Sequence, residues 1–174
     1  MILQLTKKKI LELFEEINKK LKKEGLHGDI AVYGGTVMCL VFNARAATDD
    51  IDSIFSPLIP MFKIIDEISR ENNLKRDWLN NGIVSYISKN DDLIQYNNYS
   101  NLTVQTASPR YMLSMKIFSA RNGDGFHDKD DAKFLMDYLG LKLKQELVDI
   151  FEEYYPPSFL RQRNKLFIEE LFID

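Results

Sequence analysis

A β-prone run at residues 29–33, Asp-Ile-Ala-Val-Tyr, ends on the glycine pair Gly34-Gly35, and residues 36–42 are apolar again. That order predicts a strand turning directly into a buried helix. Glycine at both turn positions lets the backbone take conformations closed to other residues and lets another group approach it closely. A second strand is predicted over residues 50–55, Asp-Ile-Asp-Ser-Ile-Phe, where polar and apolar residues alternate. Only a short apolar stretch and the connection at residues 43–48 separate the two features. Together the two features say more than either alone, because both would converge at one end of a sheet.

Each feature has its own chemistry. Free N–H groups where a helix starts, together with the Thr36 hydroxyl, suit a phosphate. Residues two apart on a strand project to one face, so Asp50 and Asp52 point together while Ile51 goes to the opposite, core face. Two carboxylates side by side repel, and one pKa rises unless a cation sits between them. Mg²⁺ suits such a pair, since it takes one or two carboxylates along with substrate phosphate oxygens. Neither a GxxxxGK[ST] nor a GxGxxG pattern occurs, which excludes the P-loop and the dinucleotide fingerprint.

The rest of the chain fills in around these two features. Thr6 is placed to cap a first helix carrying Ile10, Leu13, Phe14, Ile17 and Leu21 at helical spacing, stopped by Gly25. Ser56-Pro57 and Ser108-Pro109 both read as a cap followed by a first-turn proline. Strands are predicted over residues 82–87 and 102–106, with residues 90–101 unassigned. Helices follow at about residues 130–139, 144–154 and from 158 onward. Strands therefore cluster early and helices late, an α+β pattern rather than a βαβ repeat. The 174 residues suit one domain, and 45% hydrophobic with 28% charged residues supplies an ordinary core. A net charge of −3 demands neither nucleic acid nor membrane as partner. One cysteine, Cys39, excludes a disulfide scaffold. The N-terminal order of lysines after apolar residues does not read as a signal peptide, and a soluble, cytoplasmic protein is expected. His27 and His127 read as turn and loop residues, and Arg161, Arg163 and Lys165 as a solvated helical face.

Tyr33-Gly34-Gly35 followed by Asp50-Ile51-Asp52-Ser53 resembles the signature of the nucleotidyltransferase superfamily, a hydrophobic residue with Gly-Gly or Gly-Ser and then Asp-x-Asp. The longer string from Tyr33 to Phe55 is similar to its toxin-like branch, related to AbiEii and the minimal nucleotidyltransferases. Arg45 and Thr48 precede the acidic pair as an Arg and a Thr or Ser do in that branch. Met115-Lys116-Ile117, Arg121 and Lys129-Asp130 resemble its later Lys, Arg and Lys-Asp.

The resemblance implies a mixed sheet flanked by helices in a core over residues 1–120, and a helical C-terminal part over residues 121–174. It implies that Gly34, Gly35 and Thr36 hold a nucleoside triphosphate and that Asp50 and Asp52 bind Mg²⁺. Lys116 would contact phosphate, Arg45 would steer the phosphate tail, and Asp130 would add an acid. The implied reaction moves a nucleotidyl group to a hydroxyl of RNA or protein, with an antitoxin as a further partner. A degenerate module of the same fold that only binds nucleotide or a partner is the alternative. Two departures stand out. Where many members carry a third carboxylate on a later strand, this chain offers Thr103 and Gln105, with Asp91 and Asp92 as the nearest substitutes. Lys133 also stands where a second acid would follow Asp130.

Overall fold

The computed structural model describes residues 4–120 and 127–173. The chain divides into two compact units, one formed by residues 1–84 and 93–106 and the other by residues 85–92 and 107–174.

In the first unit, a short ribbon pairs β1 (Leu5–Thr6) with β3 (Ala47–Thr48). Helix α1 (Lys7–Lys23) starts where the Thr6 hydroxyl accepts from the Lys9 amide. It buries Ile10, Leu13, Phe14, Ile17 and Leu21, and its last turn carries Lys20, Lys22 and Lys23, which suit the negative end of the helix dipole. Gly25, at φ +67°, turns the chain out of the helix. Next come β2 (Gly28–Val32), α2 (Gly34–Leu40), β4 (Ile51–Ser56), α3 (Leu58–Glu71), β5 (Leu79–Asn80), β6 (Leu93–Asn98) and β7 (Leu102–Ala107). The five longer-range strands form a mixed sheet in the order β5-β4-β2-β7-β6. Strand β2 is antiparallel to β4 and parallel to β7, and β4 is parallel to β5. Alternation decides the faces: Ile51, Ser53 and Phe55 are buried, while Asp52 and Ile54 between them are half-buried. The core joins this buried face to α1 and to Ile64, Ile65 and Ile68 of α3. Trp78, almost wholly enclosed, donates its indole N–H to the Ile65 carbonyl at 3.1 Å, fixing the short edge strand β5 against α3. Burying a side chain of this size contributes about 2–3 kcal/mol.

The second unit holds α4 (Pro109–Ser119), α5 (Asp128–Leu139), α6 (Lys144–Tyr154) and α7 (Gln162–Leu171). Ser108 caps α4 as expected, its hydroxyl accepting from the Tyr111 amide and donating to the Asp92 carboxylate, which also accepts from Tyr154 Oη at 2.8 Å. Tyr111 and Tyr154 stack at 4.9 Å, and burial pushes both phenols up to about 12. Tyr111 Oη in turn accepts from the Ser88 amide at 2.7 Å. These bonds tie residues 85–92 to the helices. The division therefore falls elsewhere than at residue 120: α4 packs with α5 and α6 because its helix is buried from Tyr111 to Ile117, where an amphipathic surface helix would leave one side wet.

Three sequence expectations change. Residues 82–87 are no strand but a 3₁₀ turn, Gly82–Tyr86, because the Asn80 side chain takes the Gly82 amide at 2.9 Å and none of the turn is buried. Ser56 ends β4 instead of capping α3, and Pro57 holds the cap position. The last helix begins at Gln162, after a short 3₁₀ turn at Pro157–Phe159. The unassigned stretch supplies β6. No helix among the described residues is long and apolar enough to cross a membrane.

Candidate active site

The register of β2 against β4 sets Val32 opposite Ser53, and the Tyr33 amide then donates to the Asp52 carbonyl at 2.9 Å, closing the ladder. The chain turns immediately afterwards at Gly34, whose φ of +64° is the left-handed conformation that glycine takes without strain. A Cβ at Gly34 would lie 2.9 Å from Asp52 Oδ2. A Cβ at Gly35 would lie 2.7 Å from Arg45 Nη1 and 3.2 Å from Thr48 Oγ1. The two glycines are thus bare because an acid and a guanidinium occupy the space their side chains would fill. Gly34, Gly35, Arg45, Thr48 and Asp52 meet at one end of the sheet.

Asp50 sits in the bend just before β4. Its carbonyl accepts from two hydroxyls, Thr36 Oγ1 at 3.0 Å and Thr48 Oγ1 at 3.2 Å. Thr36, read from sequence as a phosphate donor, is buried and spends its proton on holding the Asp50 backbone. The Asp50 carboxyl is pushed up to about 6, first by burial and then by the neighbouring charges of Asp52, Asp77 and Asp49, with Lys75 opposing. Its Oδ2 accepts from Asn80 Nδ2 at 3.3 Å.

This donor set fits a hard divalent cation. The candidate ligands are both carboxylates, and the Asp52 charge disfavours the Asp50 charge. Among the described residues no group of three or more His, Cys, Asp or Glu is placed to hold a metal ion. The protein side would then supply two carboxylates, leaving the other positions to water and phosphate oxygens, which Mg²⁺ accepts. Gln105, one of the two residues standing where a third acid was sought, pairs in register with Ala31, which itself pairs with Ile54, so it shares the Asp52 face of the sheet.

No family model, no curated protein and no solved structure matches the chain.

The other residues that the resemblance brings in lie in the second unit. Lys116 is buried on α4, its ammonium 2.9 Å from Asp128 Oδ1 and 2.8 Å from Asp131 Oδ2. Asp130 is exposed on the other side of α5, and it is Asp128 and Asp131, three apart on one helix face, that reach the lysine. Asp92 is engaged by Ser108 and Tyr154 as described, and Arg121 lies outside the described residues. His27 is exposed, its ring Nε2 2.9 Å from Thr103 Oγ1. Sequence reading passed over Asn80, Asp128 and Asp131. The i, i+3 spacing of the two acids next to Ala132 and Leu135 was the available signal for a buried pair; Asn80 left none.

Substituting Gly34→Ala is expected to cost about 1 kcal/mol from the left-handed backbone alone. The new methyl must also displace the Asp52 carboxylate. Thermal melting checks the combined cost.

Proposed function

We propose that the first unit binds a nucleoside triphosphate with Mg²⁺, and that the chain transfers the nucleotidyl group to a hydroxyl of RNA or protein. The observation that carries this reading is the approach of Asp52 Oδ2 to the bare Gly34 backbone, with Asp50 held beside it. A turn without side chains lets the Asp52 carboxylate and the Arg45 guanidinium come up against the backbone, one charge for a cation and one for a phosphate. The acceptor hydroxyl oxygen forms a bond to the α-phosphorus and releases its proton to solvent as the bond from the α-phosphorus to the α–β bridging oxygen breaks, and pyrophosphate leaves. Asp50 and Asp52 would hold the cation, which supplies charge neutralisation and polarises the phosphoryl group. The chain's own contribution is to place these carboxylates beside the bare Gly34-Gly35 turn, since phosphoryl chemistry gains most from positioning and electrostatics. Thr36 and Thr48 serve that placement through the Asp50 carbonyl, and the Arg45 guanidinium over Gly35 supplies positive charge at the turn.

The double variant Asp50→Asn/Asp52→Asn is expected to abolish Mg²⁺-dependent NTP binding measured by calorimetry, with an unchanged circular dichroism spectrum. Undiminished binding in that variant overturns the site. A binding module without turnover is the second reading, favoured by the pair of acids standing without a third ligand among the described residues. Incubation with labelled NTPs, Mg²⁺ and bulk RNA or protein separates the two, because only the enzyme leaves label on an acceptor.

A further inference from the structure

Asn80 is held on every side. Its amide oxygen accepts from the Gly82 N–H at 2.9 Å, and its amide nitrogen donates to Asp50 Oδ2 and to the Asp77 carbonyl, each at 3.3 Å. Only one orientation of the amide fits these partners. The Gly82 N–H can only donate, so Oδ1 must face it, and the NH₂ group then faces two acceptors. The backbone is fixed as firmly. Asn80 stands in register with Asp52 across β4 and β5, its carbonyl accepts from Ser53 Oγ at 3.2 Å, and the Ile51 amide donates to the Trp78 carbonyl at 2.7 Å. The buried Trp78 thus anchors a strand whose function at its far end is one N–H aimed at a carboxylate.

Resting on the functional reading above, we propose that Asn80 is a positioning residue of the divalent-cation site, fixing the rotation of the Asp50 carboxylate through its side-chain N–H. A neutral amide donor stabilises the carboxylate without adding a cation that would compete with the metal. Partners of this kind behind a metal ligand commonly change affinity by about 10–100-fold when removed.

The test is a Mn²⁺ titration of the full chain, followed by electron paramagnetic resonance, on the wild type, Asn80→Ala and Ser53→Ala. Asn80→Ala is expected to weaken Mn²⁺ about tenfold. Ser53→Ala cuts another bond that docks β5 but leaves the Asp50 contact, and it is expected to keep the wild-type affinity. Wild-type affinity in Asn80→Ala overturns the inference, and so does an equal loss in Ser53→Ala, which would reduce Asn80 to strand docking. In the wild type, the Asn80 side-chain NH₂ resonances are expected to move on adding Mg²⁺. Should Asn80→Ala not fold, stationary resonances in a wild type that binds Mn²⁺ overturn the inference by themselves. A wild type that binds no Mn²⁺ overturns the functional reading and this inference together.

Discussion

Replacing Lys116 by Met is expected to destabilise the second unit by about 3–5 kcal/mol, the usual cost of taking one member out of a buried ion pair. The side chain is only 10% exposed, and those of its partners Asp128 and Asp131 are 3% and 4% exposed. Methionine keeps most of the stem and its packing. The loss therefore comes from two carboxylates left in a low-dielectric setting without the ammonium that offset their desolvation. Truncating both acids along with the lysine, as Lys116→Met/Asp128→Asn/Asp131→Asn, should recover much of the stability, because these three buried charges are then removed together. Urea unfolding of the two variants checks this. A small loss in the single variant would mean that water reaches the trio. The same geometry bears on the phosphate contact that the family resemblance implies for Lys116: its charge is already shared between two acids.

Asp50→Asn is expected to stabilise the chain at pH 7 and to leave it unchanged at about pH 4. Burial and the like charges around it raise the Asp50 carboxyl from 3.8 to about 6 in the folded state. The folded chain thus holds a proton that the unfolded chain releases at lower pH. Stability from this group is greatest below about pH 4, falls as pH rises through about 6, and stays low above that. At 1.36 kcal/mol per pKa unit the penalty is bounded by about 3 kcal/mol, and partial solvent access reduces it to about 1–2 kcal/mol. Asparagine carries no charge to penalise and still accepts from Asn80. Thermal melts at the two pH values check the sign. Mg²⁺ at pH 7 is further expected to raise the wild-type melting temperature and to leave that of Asp50→Asn unmoved, since a ligand stabilises only the state it binds.

Local signals carried the sequence reading far. Thr6, Ser108 and the Pro109 that follows it marked helix starts because capping is settled within a few residues. The alternation from Ile51 to Phe55 matched the faces because a strand's period is exact, while Asp50 fell in the bend before the strand. The meeting of Gly34 with Asp52 followed from two neighbouring strands and a short connection. Failures arose where distant partners decide. Residues 82–87 have β-prone composition, but a side chain two residues before them takes the first amide. Asn80 is one polar residue among many until β5 lies against β4. Asp130 matched the resemblance in order, yet a helix presents Asp128 and Asp131 on the face that reaches Lys116.

The main chain passes from one unit to the other at residues 84–85, 92–93 and 106–107. Strands β6 and β7 return to the first unit after residues 85–92 have already joined the second. A gene fragment ending at residue 84 would lack the parallel neighbour of β2, and one starting at residue 107 would lack the Ser88 and Asp92 that fasten Tyr111 and Ser108. Neither unit is released whole by cutting the chain at a single point.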